Sequence, residues 1–227
     1  MKTIMLGLIL LGLAGTAFAI DQTELDNLIR ALTAKLEDMQ LKPDKLVPAD
    51  TLAKAQGVIL LDRTKAGFIF AYQGGGGVAM VKDPKTELWS PVAFLSANEG
   101  SLGFQVGGEQ AFYVILLMNT NATRILTDPN FEFGGEARGT AGDASTGAEG
   151  KVTAHEESVL VYSDRKGLFG GAALKAGAIA PDEEANHVYY REYLTMKDIL
   201  FDGKVKHTES STELAKQLVR YSKPPGN

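Results

Sequence analysis

Cysteine is absent from the 227 residues of this chain. Its absence excludes a disulfide framework, a thiolate zinc site and a thiol nucleophile. The three histidines lie in separate parts of the chain without metal-ligand spacing, and His187 is expected to pair with Glu183 on a helix surface. The sequence contains no Gly-x-Ser-x-Gly elbow and no His-Glu-x-x-His motif. We therefore predict no catalytic residue, no metal site and no cofactor, and do not expect an enzyme.

A net positive charge is also lacking. The 23 basic and 28 acidic residues give a formal charge of −5. A mildly acidic protein has no general attraction to nucleic acid or to an anionic bilayer, so nucleic acid is not an expected partner. Any binding of anions must come from a local cluster of cations.

The N terminus has the features of a secretory signal peptide. Lys2 precedes an apolar stretch over 4–13, and Ala17-Phe18-Ala19 matches a small-x-small cleavage site. The uncharged run is long enough for a membrane anchor to be the alternative, but its glycines and the cleavage site favour removal. We predict cleavage near Ala19 and export to the periplasm or the exterior.

Glycine is concentrated in the middle of the chain. Of the 25 glycines, 20 lie between residues 57 and 177. The run at 74–77 lacks the Gly-Lys-Ser/Thr ending of a phosphate loop and precedes a predicted strand, so a bent hairpin is the simpler interpretation. Glycines within strands mark bulges, bends or close backbone approach, and so many of them favour a sheet that curls.

Hydrophobic periodicity changes along the chain. Apolar residues at helical spacing predict an amphipathic helix over 22–39, capped by Asp21 or Thr23, whose mixed polar face favours docking on the domain over lying on a membrane. Further helices are predicted over 48–56, from Asp182, over 195–201 and over 211–221. Strands are predicted over 58–61, 67–72, 78–81, 89–95, 112–118, 152–155 and 158–162.

Helices at both ends and a β-rich middle predict an α+β fold. We expect a large curled antiparallel sheet, a partial or closed barrel, with helices from both chain ends packed on it. Such a sheet could enclose an apolar ligand, although small barrels are usually filled by their own side chains. The predicted organisation is a signal peptide over 1–19, an amphipathic helix over 20–45, one domain over 46–222 and a tail over 223–227.

One basic segment has the chemistry of a lipid contact. Arg165 and Lys166 lie at a predicted turn between apolar runs, Leu168 and Phe169 follow, and Lys175 adds a third cation. Cations beside a protruding hydrophobic pair suit the boundary of an anionic membrane. The alternative is a β-hairpin whose Phe169 packs in the core.

Five blocks of sequence in this order resemble the SYLF-domain family. They are Val47-Pro48 with residues 52–58, the glycine run with Leu88-Trp89-Ser90-Pro91, residues 100–109, residues 162–174, and Asn186 with Tyr189 and Tyr190. Two departures occur: Asp164-Arg165 stands where the family has Arg-Ser or Lys-Ser, and Arg191 stands where it prefers glycine. The chain is similar to an exported, bacterial member of the family.

This resemblance implies a non-enzymatic lipid-binding domain. Eukaryotic members of the family are associated with phosphoinositide-containing membranes and with actin filaments. In an exported protein we expect an anionic phospholipid or membrane surface as partner, and do not expect actin. Two alternatives stay open: a periplasmic structural or protein-interaction module, and a carrier of an apolar ligand inside the curled sheet.

Overall fold

The computed structural model describes residues 20–62, 76–97, 111–127, 158–165, 167–169 and 179–224. Within these ranges the chain forms six α-helices and seven β-strands. The helices are α1 (Gln22–Gln40), α2 (Ala49–Lys54), α3 (Thr120–Arg124), α4 (Glu183–Tyr190), α5 (Met196–Leu200) and α6 (Glu209–Tyr221). The strands are β1 (Gly57–Asp62), β2 (Gly76–Val81), β3 (Ala93–Ala97), β4 (Phe112–Leu117), β5 (Val159–Ser163), β6 (Gly167–Phe169) and β7 (Ile179–Pro181). No described helix combines the length and apolar character needed to cross a bilayer.

The strands form one antiparallel sheet in the order β6-β5-β4-β1-β2-β3-β7. At its centre Ile59 of β1 lies opposite Ala79 of β2 and Ile115 of β4. Among the described strands β6 and β7 are the two edges, so the sheet is open there. The predicted α+β fold with a large antiparallel sheet is confirmed, in its open form.

Both faces of the sheet are buried, which explains why its central strands are apolar throughout. On β1, Val58 and Leu60 belong to one hydrophobic core, whereas Ile59 and Leu61 belong to the other. An antiparallel sheet often leaves one face to water and then alternates apolar with polar residues. Here α1, α2, α4 and α6 contribute to the first core and α3 and α5 to the second. The protein's own side chains therefore fill the space along the described strands.

Helix α1 docks on the sheet, as its mixed polar face predicts. Asp21 caps it by accepting a hydrogen bond from the backbone N–H of Glu24 at 2.9 Å. Its apolar face is buried in the first core through Leu25, Leu28, Ile29, Leu32, Leu36 and Met39. This face packs within the protein and is not presented to a membrane.

Two strand glycines are required by close approach of neighbouring atoms, as the glycine pattern predicts. A Cβ atom on Gly77 would lie 2.7 Å from the carbonyl oxygen of Leu60. On Gly57 it would lie 2.9 Å from Cγ2 of Thr123. Real Cβ atoms do not approach other atoms so closely, so larger residues would displace β1 from its neighbours. The first half of the glycine run lies outside the described residues, and its second half begins β2.

The strand predicted over 89–95 begins later than predicted. Trp89 forms only an isolated bridge with Lys82 before β3 starts. Pro91 has no N–H to donate to a ladder. The Ser90 hydroxyl accepts a hydrogen bond from the backbone N–H of Val81 in β2 at 3.1 Å, so a side chain takes the role of a strand carbonyl there.

The remaining predicted elements fall into two groups. The helices predicted after Pro181, over 195–201 and over 211–221 correspond to α4, α5 and α6, and each is capped by an aspartate or threonine side chain. The strands predicted over 67–72 and 152–155 lie outside the described residues.

Candidate functional site

The five residues predicted to contact lipid lie in or after the turn between β5 and β6. Arg165 is exposed in this turn. Leu168 and Phe169 belong to β6, which pairs with β5. Lys166 and Lys175 lie outside the described residues. The predicted hairpin is thus present between β5 and β6, and the lipid role of its residues stays a prediction.

Two contacts hold this turn against neighbouring parts of the protein. The Asp164 carboxylate accepts the backbone N–H of Phe112 at 3.1 Å, and the Asp164 N–H donates to the carbonyl of Phe112 at the same distance. The ammonium of Lys45 donates to the carbonyl oxygen of Arg165 at 2.6 Å. Lys45 precedes Arg165 by 120 residues, so no local pattern could indicate it. Lys45 thus adds a cation beside the turn, while the Asp164 carboxylate bonds to the backbone of β4.

The buried amide of Asn186 joins α4 to β3. Its Oδ1 accepts the backbone N–H of Phe94 at 2.9 Å, and its Nδ2 donates to the carbonyl of Phe94 at 3.3 Å. The amide therefore bonds to both backbone groups of one strand residue. Asn186 is 2% exposed, so water cannot replace it as a partner.

Two adjacent tyrosines anchor the same helix. The Tyr189 hydroxyl donates to Oδ1 of Asp26 at 2.8 Å and lies 2.5 Å from Oγ1 of Thr208, which links α4 to α1 and to the start of α6. Burial raises the pKa of Tyr189 to about 12, and the charge of Asp26 adds to the rise. The Tyr190 hydroxyl donates to the carbonyl of Val92 at 2.5 Å, and burial raises its pKa also.

We name Asn186, Tyr189 and Tyr190 the α4 cluster. Their polar side-chain atoms bond within the protein, so the cluster holds the architecture together. The conformation of the next residue accounts for the family's preference for glycine at that position. Arg191 ends α4 with φ 57° and ψ 27°, a left-handed conformation that glycine adopts without strain. Its guanidinium donates to the side chain of Gln22 at 3.1 Å.

An apolar groove lies beside α6, and no sequence motif indicated it. It is bounded by α6, by the segment joining α1 to α2, and by the turn before Trp89, and its volume is about 1080 Å³. Leu88 is 68% exposed and Val219 is 42% exposed, so part of this apolar surface faces solvent. The apolar side chains of the lining are Leu46, Val47, Ala49, Leu88, Trp89, Ala215, Val219, Tyr221 and Pro224. We call this feature the α6 groove.

The polar rim of the α6 groove is cationic. Lys216, Arg220 and Lys223 line it, and none of the described lining residues is acidic. The ammonium of Lys216 lies 3.7 Å from the Glu213 carboxylate, an exposed pair of the kind that contributes little stability. The Arg220 guanidinium lies 5.5 Å from the centre of the Tyr221 ring. A chain of net charge −5 thus carries a local cluster of cations beside apolar surface.

His207 fixes one wall of the α6 groove. Its Nε2 lies 3.0 Å from the carbonyl oxygen of Trp89, and its Nδ1 lies 2.9 Å from Oγ of Ser211. Because a carbonyl only accepts, the neutral ring carries its hydrogen on Nε2, and Nδ1 accepts from the serine hydroxyl. These bonds tie the segment that contains Trp89 to the first turn of α6.

The expected ion pair between His187 and Glu183 is not formed. The His187 ring stacks on the ring of Tyr193, with centroids 3.7 Å apart, and its Nδ1 is buried without a hydrogen-bond partner. Stacking holds the imidazole against an aromatic ring instead of beside the carboxylate. In the part of the chain that the structure describes, no three His, Asp or Glu side chains converge as a metal site would require.

Comparison with known proteins identifies the class to which this fold belongs. The family model Ysc84, described as Las17-binding protein actin regulator, matches residues 98–221, more than half of the chain. The chain belongs to the Ysc84 family, which is the SYLF-domain family. No solved structure matches it.

Curated relatives extend the similarity toward the N terminus. The SH3 domain-containing YSC84-like protein 1 of Homo sapiens is 32% identical over 161 residues, which cover 70% of this chain and 47% of that protein. Protein YSC84 of Saccharomyces cerevisiae is 32% identical over 180 residues, which cover 77% of this chain and 38% of that protein. The chain therefore spans half or less of the length of these relatives.

Proposed function

We propose that this protein is an exported, non-enzymatic lipid-binding protein. It contacts anionic phospholipid headgroups through Arg165 and Lys166 in the β5–β6 turn, with Lys175 adding charge. Leu168 and Phe169 enter the edge of the acyl region, as suits a hydrophobic pair beside cations at a membrane boundary.

The observation that carries this proposal is membership of the SYLF-domain family. The matched region, residues 98–221, includes the β5–β6 turn and the α4 cluster. The resemblance implies association with anionic membranes and no catalytic activity. An adaptor of this kind binds through its surface and has no need of a catalytic constellation.

The surroundings of the turn support the assignment. Arg165 is exposed, and Lys45 brings a further ammonium to the carbonyl of Arg165. The Asp164 carboxylate bonds to the backbone N–H of Phe112, which offsets part of its charge. Each cation near an anionic surface contributes about 1 kcal/mol. Because the whole chain is acidic, we expect weak binding that salt reverses.

Export is proposed from the N-terminal sequence, with cleavage near Ala19. The intact mass of protein recovered from the host's extracytoplasmic fraction tests it. We expect a mass that lacks residues 1–19. A full-length mass confined to the cytoplasm would contradict export, and would restore actin to the set of expected partners.

The lipid contact is tested by co-sedimentation of the exported protein with phosphatidylglycerol vesicles at low salt. We expect Arg165→Glu combined with Lys166→Glu to reduce the bound fraction several-fold, because two attractive charges become repulsive. Arg124→Glu combined with Lys197→Glu is the matched control, since both residues are exposed on helices of the opposite face. Equal sedimentation of the turn variant and the wild type would remove the turn from the proposal.

A protein-interaction module is the second candidate. The family description names a Las17-binding protein actin regulator. Leu41 and Tyr193, 77% and 85% exposed, offer apolar contacts on this chain. Crosslinking in the native host tests the candidate. One stoichiometric partner without vesicle binding would favour it, whereas vesicle binding without a crosslinked partner would favour the lipid proposal.

A further inference from the structure

We propose that the α6 groove binds one acyl chain of an anionic phospholipid, with the headgroup phosphate held by Arg220 and Lys223. The inference rests on the proposed function in one respect, because it takes a phospholipid as the ligand. It assigns the acyl chain to a site separate from the β5–β6 turn.

The shape and lining of the groove fit an apolar chain. Its volume of about 1080 Å³ lies just above the usual range for small-molecule sites, about 300–1,000 Å³. Trp89 forms part of the lining, and the exposed side chains of Leu88 and Val219 extend the apolar surface toward solvent. Burying this apolar surface against an acyl chain removes it from water, which favours binding.

The groove is held open by bonds within the protein. The Gln40 amide accepts the backbone N–H of Val47 at 2.7 Å and donates to the carbonyl of Val47 at 3.3 Å, which fixes the segment joining α1 to α2. His207 fixes the opposite wall through the carbonyl of Trp89. A ligand therefore enters a site whose walls are already positioned, which lowers the entropic cost of binding.

The charge of the rim indicates the headgroup. Lys216, Arg220 and Lys223 line the groove with no acidic residue among the described lining. Lys216 and Arg220 are four residues apart on α6, or about 6 Å along the helix axis. Lys223 lies just beyond the end of α6, where its backbone N–H donates to the carbonyl of Arg220 at 3.3 Å. A phosphate diester with its glycerol can contact two such cations together, and a guanidinium binds phosphate through paired N–H groups. The rim therefore favours an anionic phospholipid over a fatty acid with a single carboxylate.

The groove adjoins the proposed membrane-contacting turn. Lys45 donates to the carbonyl of Arg165 in the turn, and the two residues that follow it, Leu46 and Val47, line the groove. A protein held on a membrane by the turn would bring the groove close to the lipid surface. One acyl chain would then have a short path from the bilayer into the groove.

Trp89 is the only tryptophan of the chain, so its fluorescence reports directly on the groove. The probe is monomeric lysophosphatidylglycerol with a dibrominated acyl chain, because bromine quenches tryptophan fluorescence only over a short distance. We expect saturable quenching, and weaker binding of the phosphatidylcholine analogue and of the free brominated fatty acid. A concentration series without quenching would overturn the inference. Stronger binding of the fatty acid would overturn the assignment of the phosphate.

Two substitutions distinguish the site for the acyl chain from the site for the headgroup phosphate. Val219→Asp places a charge on the apolar surface and is expected to abolish quenching. Arg220→Glu is expected to raise the concentration for half-quenching roughly tenfold, because an attractive charge becomes repulsive. The matched controls are Phe201→Asp, at a residue of similar exposure outside the groove, and Arg124→Glu on the opposite face. Quenching that both groove variants leave unchanged would place the lipid elsewhere.

The test separates this inference from the proposed function. The probe is monomeric, so quenching needs no membrane and no functional turn. Quenching that survives in Arg165→Glu with Lys166→Glu would support the groove even if the turn proposal failed. Vesicle binding without quenching would support the turn and contradict the groove. A protein helix seated on the groove would show as crosslinks to α6 without lipid quenching, which also contradicts the inference.

Discussion

The α4 cluster and the α6 groove lie on the same side of the sheet and differ in how their side chains are used. In the α4 cluster, Asn186 is 2% exposed and bonds to both backbone groups of Phe94, and Tyr189 bonds to Asp26. In the α6 groove, apolar side chains face solvent and the rim cations are exposed. The polar groups of the α4 cluster are bonded within the fold, whereas the α6 groove leaves apolar side chains and cations accessible to solvent. The residues that identify the family therefore include architectural ones.

Of the two regions, the α4 cluster is expected to show the larger loss of stability on substitution. Asn186→Ala removes both bonds to Phe94 and leaves a small cavity, so we expect a loss of about 3 kcal/mol in the free energy of unfolding. Chemical denaturation measures it. Asn121→Ala, the same change at an exposed helix residue, should alter stability by less than about 0.5 kcal/mol. Equal effects of the two substitutions would show that the cluster is not an anchor.

An effect of intermediate size is expected in the pH dependence of stability, through Tyr189. The pKa of Tyr189 is raised to about 12 in the folded protein, so the unfolded chain loses this proton first as the pH rises above about 10. The stability that Tyr189 contributes is therefore complete below pH 10 and falls between about pH 10 and 12. Tyr189→Phe should flatten this part of the stability profile, whereas Tyr193→Phe at an exposed site should not. Parallel profiles for wild type and Tyr189→Phe would contradict the assignment.

The smallest effect on stability is expected in the α6 groove. Val219→Asp should change the free energy of unfolding by less than about 0.5 kcal/mol, because Val219 is already 42% exposed. Leu218→Asp, at the adjacent and fully buried residue, should prevent folding or lower the free energy of unfolding by more than about 4 kcal/mol. Thermal unfolding compares the two. A large loss in Val219→Asp would mean that the groove is part of the core.

Periodicity made much of this fold predictable. The spacing of Leu25, Ile29, Leu32 and Leu36 gave α1 and its docked face, and the apolar runs gave β1 and β4. The three residues of β7 are too few to show such a pattern, and its only described partner, β3, lies more than 80 residues earlier in the chain. Short helix α3 was missed for the same reason: five residues carry too little periodicity to predict.

The candidate sites were predictable to different degrees. The β5–β6 turn is contiguous, and its cations beside Leu168 and Phe169 could be read directly. The α6 groove combines residues near 40–49, 88–89 and 207–224, which meet only after folding. Lys45 reaches the turn across 120 residues in the same way. Charge patterns in one segment cannot reveal surfaces that three segments build together.

The central claim is that an acidic protein binds anionic lipid through local cations. The most direct measurement is the fraction of the protein bound to phosphatidylglycerol and to phosphatidylcholine vesicles across a salt series. We predict binding to phosphatidylglycerol alone, lost progressively as ionic strength shortens the Debye length from about 30 Å at 0.01 M to about 8 Å at 0.15 M. Equal binding to both lipids, or binding that salt does not change, would contradict the account.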